Sequence, residues 1–127
     1  MYLLFRNLGW VNIGLLVLII MHFILRRINK YALGNKNKFL KKASKIMSAL
    51  HPYLTGLLLV SAFLHGYNLV GGIRLHSGFL AFAFILLQAI LGIIVKKYFK
   101  KPILVVHRLT GLALVVTVAV HVILMNT

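Results

Sequence analysis

The chain has 127 residues, 61% of them hydrophobic, with 15 Lys and Arg and no Asp, Glu or Cys, and its mean hydropathy is +0.98. So little polar surface rules out a soluble domain. The missing residue types exclude paired-carboxylate catalysis, carboxylate-bridged metals, disulfides, iron–sulfur clusters and covalently attached c-type haem.

Four continuous apolar runs cover residues 8–25, 46–70, 75–95 and 103–125. Each approaches or exceeds the roughly 20 residues that cross a bilayer as a helix. None alternates apolar with polar, so helices are expected and barrel strands are not. The expected fold is all-α: one four-helix transmembrane bundle of up-down topology, a single domain over residues 1–127. The first run ends in Arg26 and Arg27. Its basic flank follows the apolar stretch, so it does not read as a cleavable signal peptide. Residues 29–37 form a polar, basic linker. From Lys38 the pattern is amphipathic, with Phe39, Ala43, Ile46, Met47 and Leu50 on one stripe and Lys38, Lys41, Lys42 and Lys45 on another. This predicts a short interfacial helix, serving as an anchor to anionic membrane lipid or as a docking surface for an acidic cytoplasmic partner. Pro52 predicts a bend near His51. Gly71 and Gly72 mark a short turn before the third helix, and Pro102 suits the start of the fourth.

Basic residues set the expected orientation. Arg26, Arg27, Lys30, Lys36, Lys38, Lys41, Lys42 and Lys45 lie between the first two runs, and Lys96, Lys97, Lys100 and Lys101 between the last two. The opposite side has only Arg6 and Arg74. The positive-inside rule then puts both lysine-rich loops in the cytoplasm and both termini outside, in a bacterial or archaeal cytoplasmic membrane. The lysine clusters belong to topology, so no nucleic-acid partner is expected.

Titratable chemistry inside the membrane falls to six histidines. His51 and His65 in the second run are separated by fourteen positions, and so are His107 and His121 in the fourth. That separation makes about 3.9 helical turns and spans about 21 Å, so both members of a pair face nearly the same way. The second and fourth helices of an up-down bundle run parallel. His51 then shares a depth with His107, and His65 with His121, and each pair can supply both axial ligands to one haem iron. An isolated intramembrane histidine often serves only helix packing, but two equal spacings on parallel helices point to paired use. Structural zinc wants further ligands nearby, and no Cys, Asp or Glu exists to provide them.

Gly78 and Gly92 in the third run repeat the histidine spacing. In an inward-running helix, Gly78 falls near the outer pair and Gly92 near the inner one, where glycine leaves room for a haem edge. Glycines are also common at plain membrane-helix contacts. Gly56 and Gly111, each in a Thr-Gly-Leu triplet, offer similar relief at the inner pair, with Gly9 and Gly14 as weaker candidates.

These pairs and glycines resemble the four-helix haem core of cytochrome b from quinol–cytochrome c reductases, and more distantly the b561-type and ferric-reductase-type cytochromes. The resemblance covers nearly the whole chain but rests on few motifs. It implies His51 and His107 as ligands of an inner haem b, His65 and His121 of an outer one, and Gly78 and Gly92 as haem-packing positions. The additional helices and the Pro-Glu motif of the reductase's quinol-oxidation site are absent, so that activity does not carry over. The b561 pattern, with ligands spread singly over four helices, fits less well.

His22 and His76 remain, at opposite depths. His76 with Arg74 can serve outer haem propionates or a quinone head, and His22 with Arg108, Arg26 or Arg27 can do so inside. Simple interfacial solvation is the plainer role for both. The function expected is transmembrane electron transfer by two non-covalent haems, in a subunit of a quinone-linked oxidoreductase with a redox partner subunit. The alternative is a His-lined transporter of metal cations or haem. Transporters favour broken helices near the midplane, whereas here polar residues are expected to cluster toward the helix ends.

Overall fold

A computed structural model describes residues 1–127. The chain is all α-helical, with α1 Tyr2–Tyr31, α2 Lys38–Val70, α3 Ser77–Tyr98 and α4 Lys101–Asn126. All four apolar runs are helical apart from Leu75 and His76, which precede α3, and each helix is long and apolar enough to span a membrane, as in a multi-pass integral membrane protein. The helices pack in sequence order, α1 on α2, α2 on α3 and α3 on α4. No backbone contact joins α2 to α4 or α1 to α4.

The helices exceed the apolar runs at their basic ends, because Lys and Arg are good helix formers and no breaker intervenes. The clearest case is α2. Asn37 caps it, its side-chain oxygen accepting from the Leu40 N–H at 3.0 Å. From there one uninterrupted helix of 33 residues runs through Pro52 to Val70. The short interfacial helix expected from Lys38 to lead into the second span is the first part of α2, continuous with it. Gly71 closes α2 in the left-handed conformation, φ 68°, which glycine adopts without a Cβ penalty.

Only 10 of the 127 residues are buried, so the outer surface is the apolar one that lipid would cover. The core is a thin layer of Leu15, Leu16 and Ile19 from α1, Leu58 from α2, Ile85 from α3 and Leu114 from α4. Its position follows the sequence spacing. Leu58 lies midway between His51 and His65, Leu114 midway between His107 and His121, and Ile85 midway between Gly78 and Gly92. The bundle is thus tightly packed at one depth and looser on either side, where the histidines stand.

Two histidine levels as a candidate cofactor site

The helix register brings three imidazoles to each level. At the basic end, His51 of α2 and His107 of α4 meet with ring centroids 6.2 Å apart. His22 of α1 joins them, 5.0 Å from His51. At the other end His65 of α2, His121 of α4 and His76 before α3 all line one cavity of about 690 Å³. There the ring seated against His121 is His76, at 6.4 Å. His22 and His76 therefore belong to the two levels and are not isolated at the interface. Neither trio converges with the geometry of a ready-made metal-ion site.

Hydrogen bonds decide which ring nitrogens are free. His51 Nδ1 donates to the Ile19 carbonyl at 3.2 Å, and His65 Nδ1 donates to the Phe5 carbonyl at 2.6 Å. Phe5 and Ile19 are themselves fourteen positions apart, so the antiparallel α1 mirrors the spacing of α2. Carbonyls accept only from N–H, so both rings carry a proton on Nδ1, which in the neutral tautomer leaves Nε2 as the free lone pair. His121 Nδ1 is 2.8 Å from the Ser77 hydroxyl. His107 Nδ1 is buried without a partner. A metal-binding imidazole usually has its second nitrogen anchored in this way, and three of the four paired histidines have such an anchor.

His76 differs. It caps α3, its Nδ1 accepting from the Phe79 N–H at 3.0 Å. That leaves its proton on Nε2, making the ring a donor and a poor ligand. His22 donates Nδ1–H to Ile19, the same carbonyl that His51 uses, at 2.9 Å, while Ser44 donates to the His22 carbonyl.

The glycines stand against the rings. A Cβ at Gly78 would lie 3.0 Å from His121 Cε1 and 3.4 Å from His76 Cε1, and one at Gly92 would lie 3.6 Å from His107. Gly9, a weaker candidate in the sequence, is the tightest position, 2.9 Å from His65 Cε1. Gly56 faces open space and Gly111 faces Gln88, so neither relieves crowding at a ring. Arg74 and Arg6 line the outer cavity with His76. Arg108 is exposed and lies over the Phe23 ring at 5.6 Å, with Arg27 at 5.0 Å from the same ring.

Sequence reasoning passes over Gln88, Ser77 and Asn12. The Gln88 amide donates to the His107 carbonyl at 2.9 Å and also to Thr110, tying α3 to the turn that carries His107. Its signal is a lone amide within an apolar run. Asn12 lines the outer cavity, and Ser61 is buried near the core layer. Polar side chains are therefore not confined to the helix ends.

Each level meets one requirement of a bis-imidazole-held group, ring spacing at the basic end and room at the other, where the cavity is lined by His65 and His121. Two metal–nitrogen bonds of about 2.0 Å, extended through both rings, place imidazole centroids roughly 6 Å apart, and His51 and His107 stand at 6.2 Å. The cavity lined by His65, His76 and His121, about 690 Å³, falls within the roughly 300–1,000 Å³ typical of cofactor and ligand sites. Comparison with known proteins supplies no family: no family profile, curated protein or solved structure matches the chain.

Proposed function

We propose that this chain is a di-haem membrane cytochrome that carries electrons across the bilayer as a subunit of a quinone-linked oxidoreductase. His51 and His107 would hold an inner haem b through Nε2, and His65 and His121 an outer one. Bound haem supplies one-electron redox chemistry. The residues of the chain supply the rest. The carbonyls of Ile19 and Phe5 fix the tautomers of His51 and His65, Ser77 orients His121, and Gly9, Gly78 and Gly92 keep the backbone clear of the rings. His76, with Nε2–H free, and Arg74 present donors to propionate or to a quinone carbonyl at the outer cavity. Arg108, Arg26 and Arg27 are the cations nearest the inner level along the chain. Basic-residue asymmetry supports both termini lying outside, with His51 and His107 on the cytoplasmic side.

The observation that carries this reading is the matched register. His51 and His65 on α2 give their Nδ1 protons to the carbonyls of Ile19 and Phe5 on α1, and the two pairs have the same separation in sequence. Both Nε2 lone pairs are thereby kept free about 21 Å apart along the helix.

The test is haem content and absorption of the purified chain, followed through all six His→Ala variants. The reading requires two non-covalent b-type haems per chain and reducible, low-spin spectra. His51→Ala and His107→Ala each cost the inner haem, His65→Ala and His121→Ala each cost the outer haem, and His22→Ala and His76→Ala keep both. A haem-free chain that binds transition-metal ions would replace this reading with cation transport. Haem loss on removing His22 or His76, but not one of the four paired residues, would move the ligands to a b561-like distribution.

A further inference from the structure

The two helical hairpins are unequal in length, and the difference is all at the basic end. Below the inner level α2 runs from His51 back to Lys38, whereas α4 runs only from His107 back to Lys101. His51 and His107 share a depth, their rings being 6.2 Å apart. At 1.5 Å per helical residue, the α1–α2 hairpin therefore stands about 10 Å taller than the α3–α4 turn beside it, and the difference forms a step.

The tall side is rigid. Ser44 and Asn29 are buried inside it, Ser44 donating to the His22 carbonyl and Asn29 accepting from the Asn37 N–H. Its surface carries Lys30, Lys36, Lys38, Lys41 and Lys42, all exposed. Lys96, Lys97, Lys100 and Lys101 are exposed along the lower turn. The chain has no carboxylate side chain to neutralise any of them. Apolar side chains are interspersed, Phe39 at 76% and Tyr31 at 68% exposure.

Depth separates two kinds of acidic partner. Leu58, equidistant from both histidine levels, marks the middle of the bundle. Counted back along α2 from Leu58, Lys42 lies about 24 Å away and Lys38 about 30 Å. A bilayer ends about 20–22 Å from its centre, head groups included. Lipid phosphates reach Lys45 and the lower turn, but the tip stands clear of them in water.

The geometry points to this step as the docking surface of a soluble, acidic protein that approaches from the cytoplasm. Basic residues steer the partner, Phe39 and Tyr31 supply the apolar contact that holds it, and the step holds it over the inner histidines, with Lys42 about 14 Å along α2 from His51. The inference rests on the proposed function for the side from which the partner comes, the cytoplasm, and for what it delivers, electrons.

The experiment uses the full chain in nanodiscs of phosphatidylcholine alone, with a plant-type ferredoxin as the acidic soluble probe and a basic protein of similar size as control. Binding is measured optically without reference to haem. Ferredoxin binds the wild type and the basic control does not. The Lys38→Gln/Lys41→Gln/Lys42→Gln variant binds ferredoxin about tenfold more weakly, Phe39→Ser also weakens it, and the triple Lys→Glu variant abolishes it, all with unchanged thermal unfolding. Wild type that ignores ferredoxin in neutral discs, or lysine variants that bind it equally well, would overturn the inference. So would lysine variants that shed tightly bound anionic lipid while keeping their ferredoxin affinity, since the tip would then be a head-group clamp. A haem-free preparation that still binds ferredoxin through these lysines upholds the surface while refuting the proposed function.

Discussion

Replacing Gly9 by Ala gives a test that turns on one distance. The His65 ring is held between the Phe5 carbonyl, 2.6 Å from Nδ1, and the Gly9 backbone one turn along α1. A methyl at Gly9 would sit 2.9 Å from Cε1 of that ring. Ordinary carbon contacts begin near about 3.5 Å, so the ring must retreat by about 0.6 Å. Retreat stretches the bond to Phe5 toward the upper end of the range for N–H···O, about 3.2 Å. Overpacking of this kind costs roughly 1–3 kcal/mol, set against roughly 0.5–1 kcal/mol that alanine gains over glycine within a helix. The net expectation is a loss of about 1–2 kcal/mol. Gly14 provides the control, with no heavy atom within 4 Å of a Cβ built there, so Gly14→Ala should gain about 0.5–1 kcal/mol. Thermal unfolding in micelles, followed by circular dichroism, reads both variants, and haem content reads the outer site. Gly9→Ala should unfold earlier than wild type and bind outer haem weakly, while Gly14→Ala unfolds later with full haem content. Equal stability of the two variants would refute the clamp on His65.

Three further outcomes follow from the hydrogen bonds and the charge pattern. Ser77→Ala removes the hydrogen-bond partner of His121 Nδ1. With Nε2 ligating as proposed, Nδ1–H is the donor, its loss makes the ligand less basic, and the potential of the proposed outer haem should rise by about 20–60 mV, the one-electron equivalent of roughly 0.5–1.5 kcal/mol; an unchanged redox titration would count against the bond. His76→Ala removes the cap of α3 and should cost about 1 kcal/mol of stability, retain both haems and slow reduction by a quinol analogue. If it keeps wild-type quinol kinetics, His76 has no part in quinone contact. Single cysteines introduced at Lys36 and Lys100, in a chain with none of its own, should resist an impermeant thiol reagent added outside intact cells, and rapid labelling would invert the orientation.

The apolar runs make the four helices legible because bilayer thickness sets a length that hydropathy reveals directly. The basic end of α1 is not legible in the same way, since lysine and arginine extend a helix without adding to its apolar run, whereas the amphipathic pattern from Lys38 and the glycines Gly71 and Gly72 do bound α2. The repeated spacing places His51 with His107, whose rings meet, and Gly78 and Gly92 with the α4 histidines they face. Spacing within one helix says nothing about register between helices. Gly9 stands low in a reading of the sequence because its partner, His65, lies far away in the chain, and Gly56 stands above it although it faces open space. The cap made by His76 leaves no mark in the sequence, because Ser, Thr, Asp and Asn are the usual signals of a helix start.

The leucine-rich layer at mid-depth has an electrical meaning. Leu58 is 3% exposed and Leu114 is 4%; of the polar groups near them, Gln88 and Thr117 are spent on carbonyls of α4, and the buried Ser61 hydroxyl is without a partner. A hydrated ion finds no succession of partners through such a layer, so it behaves as an insulator between two terminals. An electron needs no hydration shell. On the proposed reading, one that passed from level to level would cross much of the membrane field, and a full crossing converts about 2.3 kcal/mol per 100 mV of potential. If the chain carries electrons as proposed, polar substitution at Leu58 or Leu114 would turn the insulator into a leak and dissipate any gradient that the transfer builds.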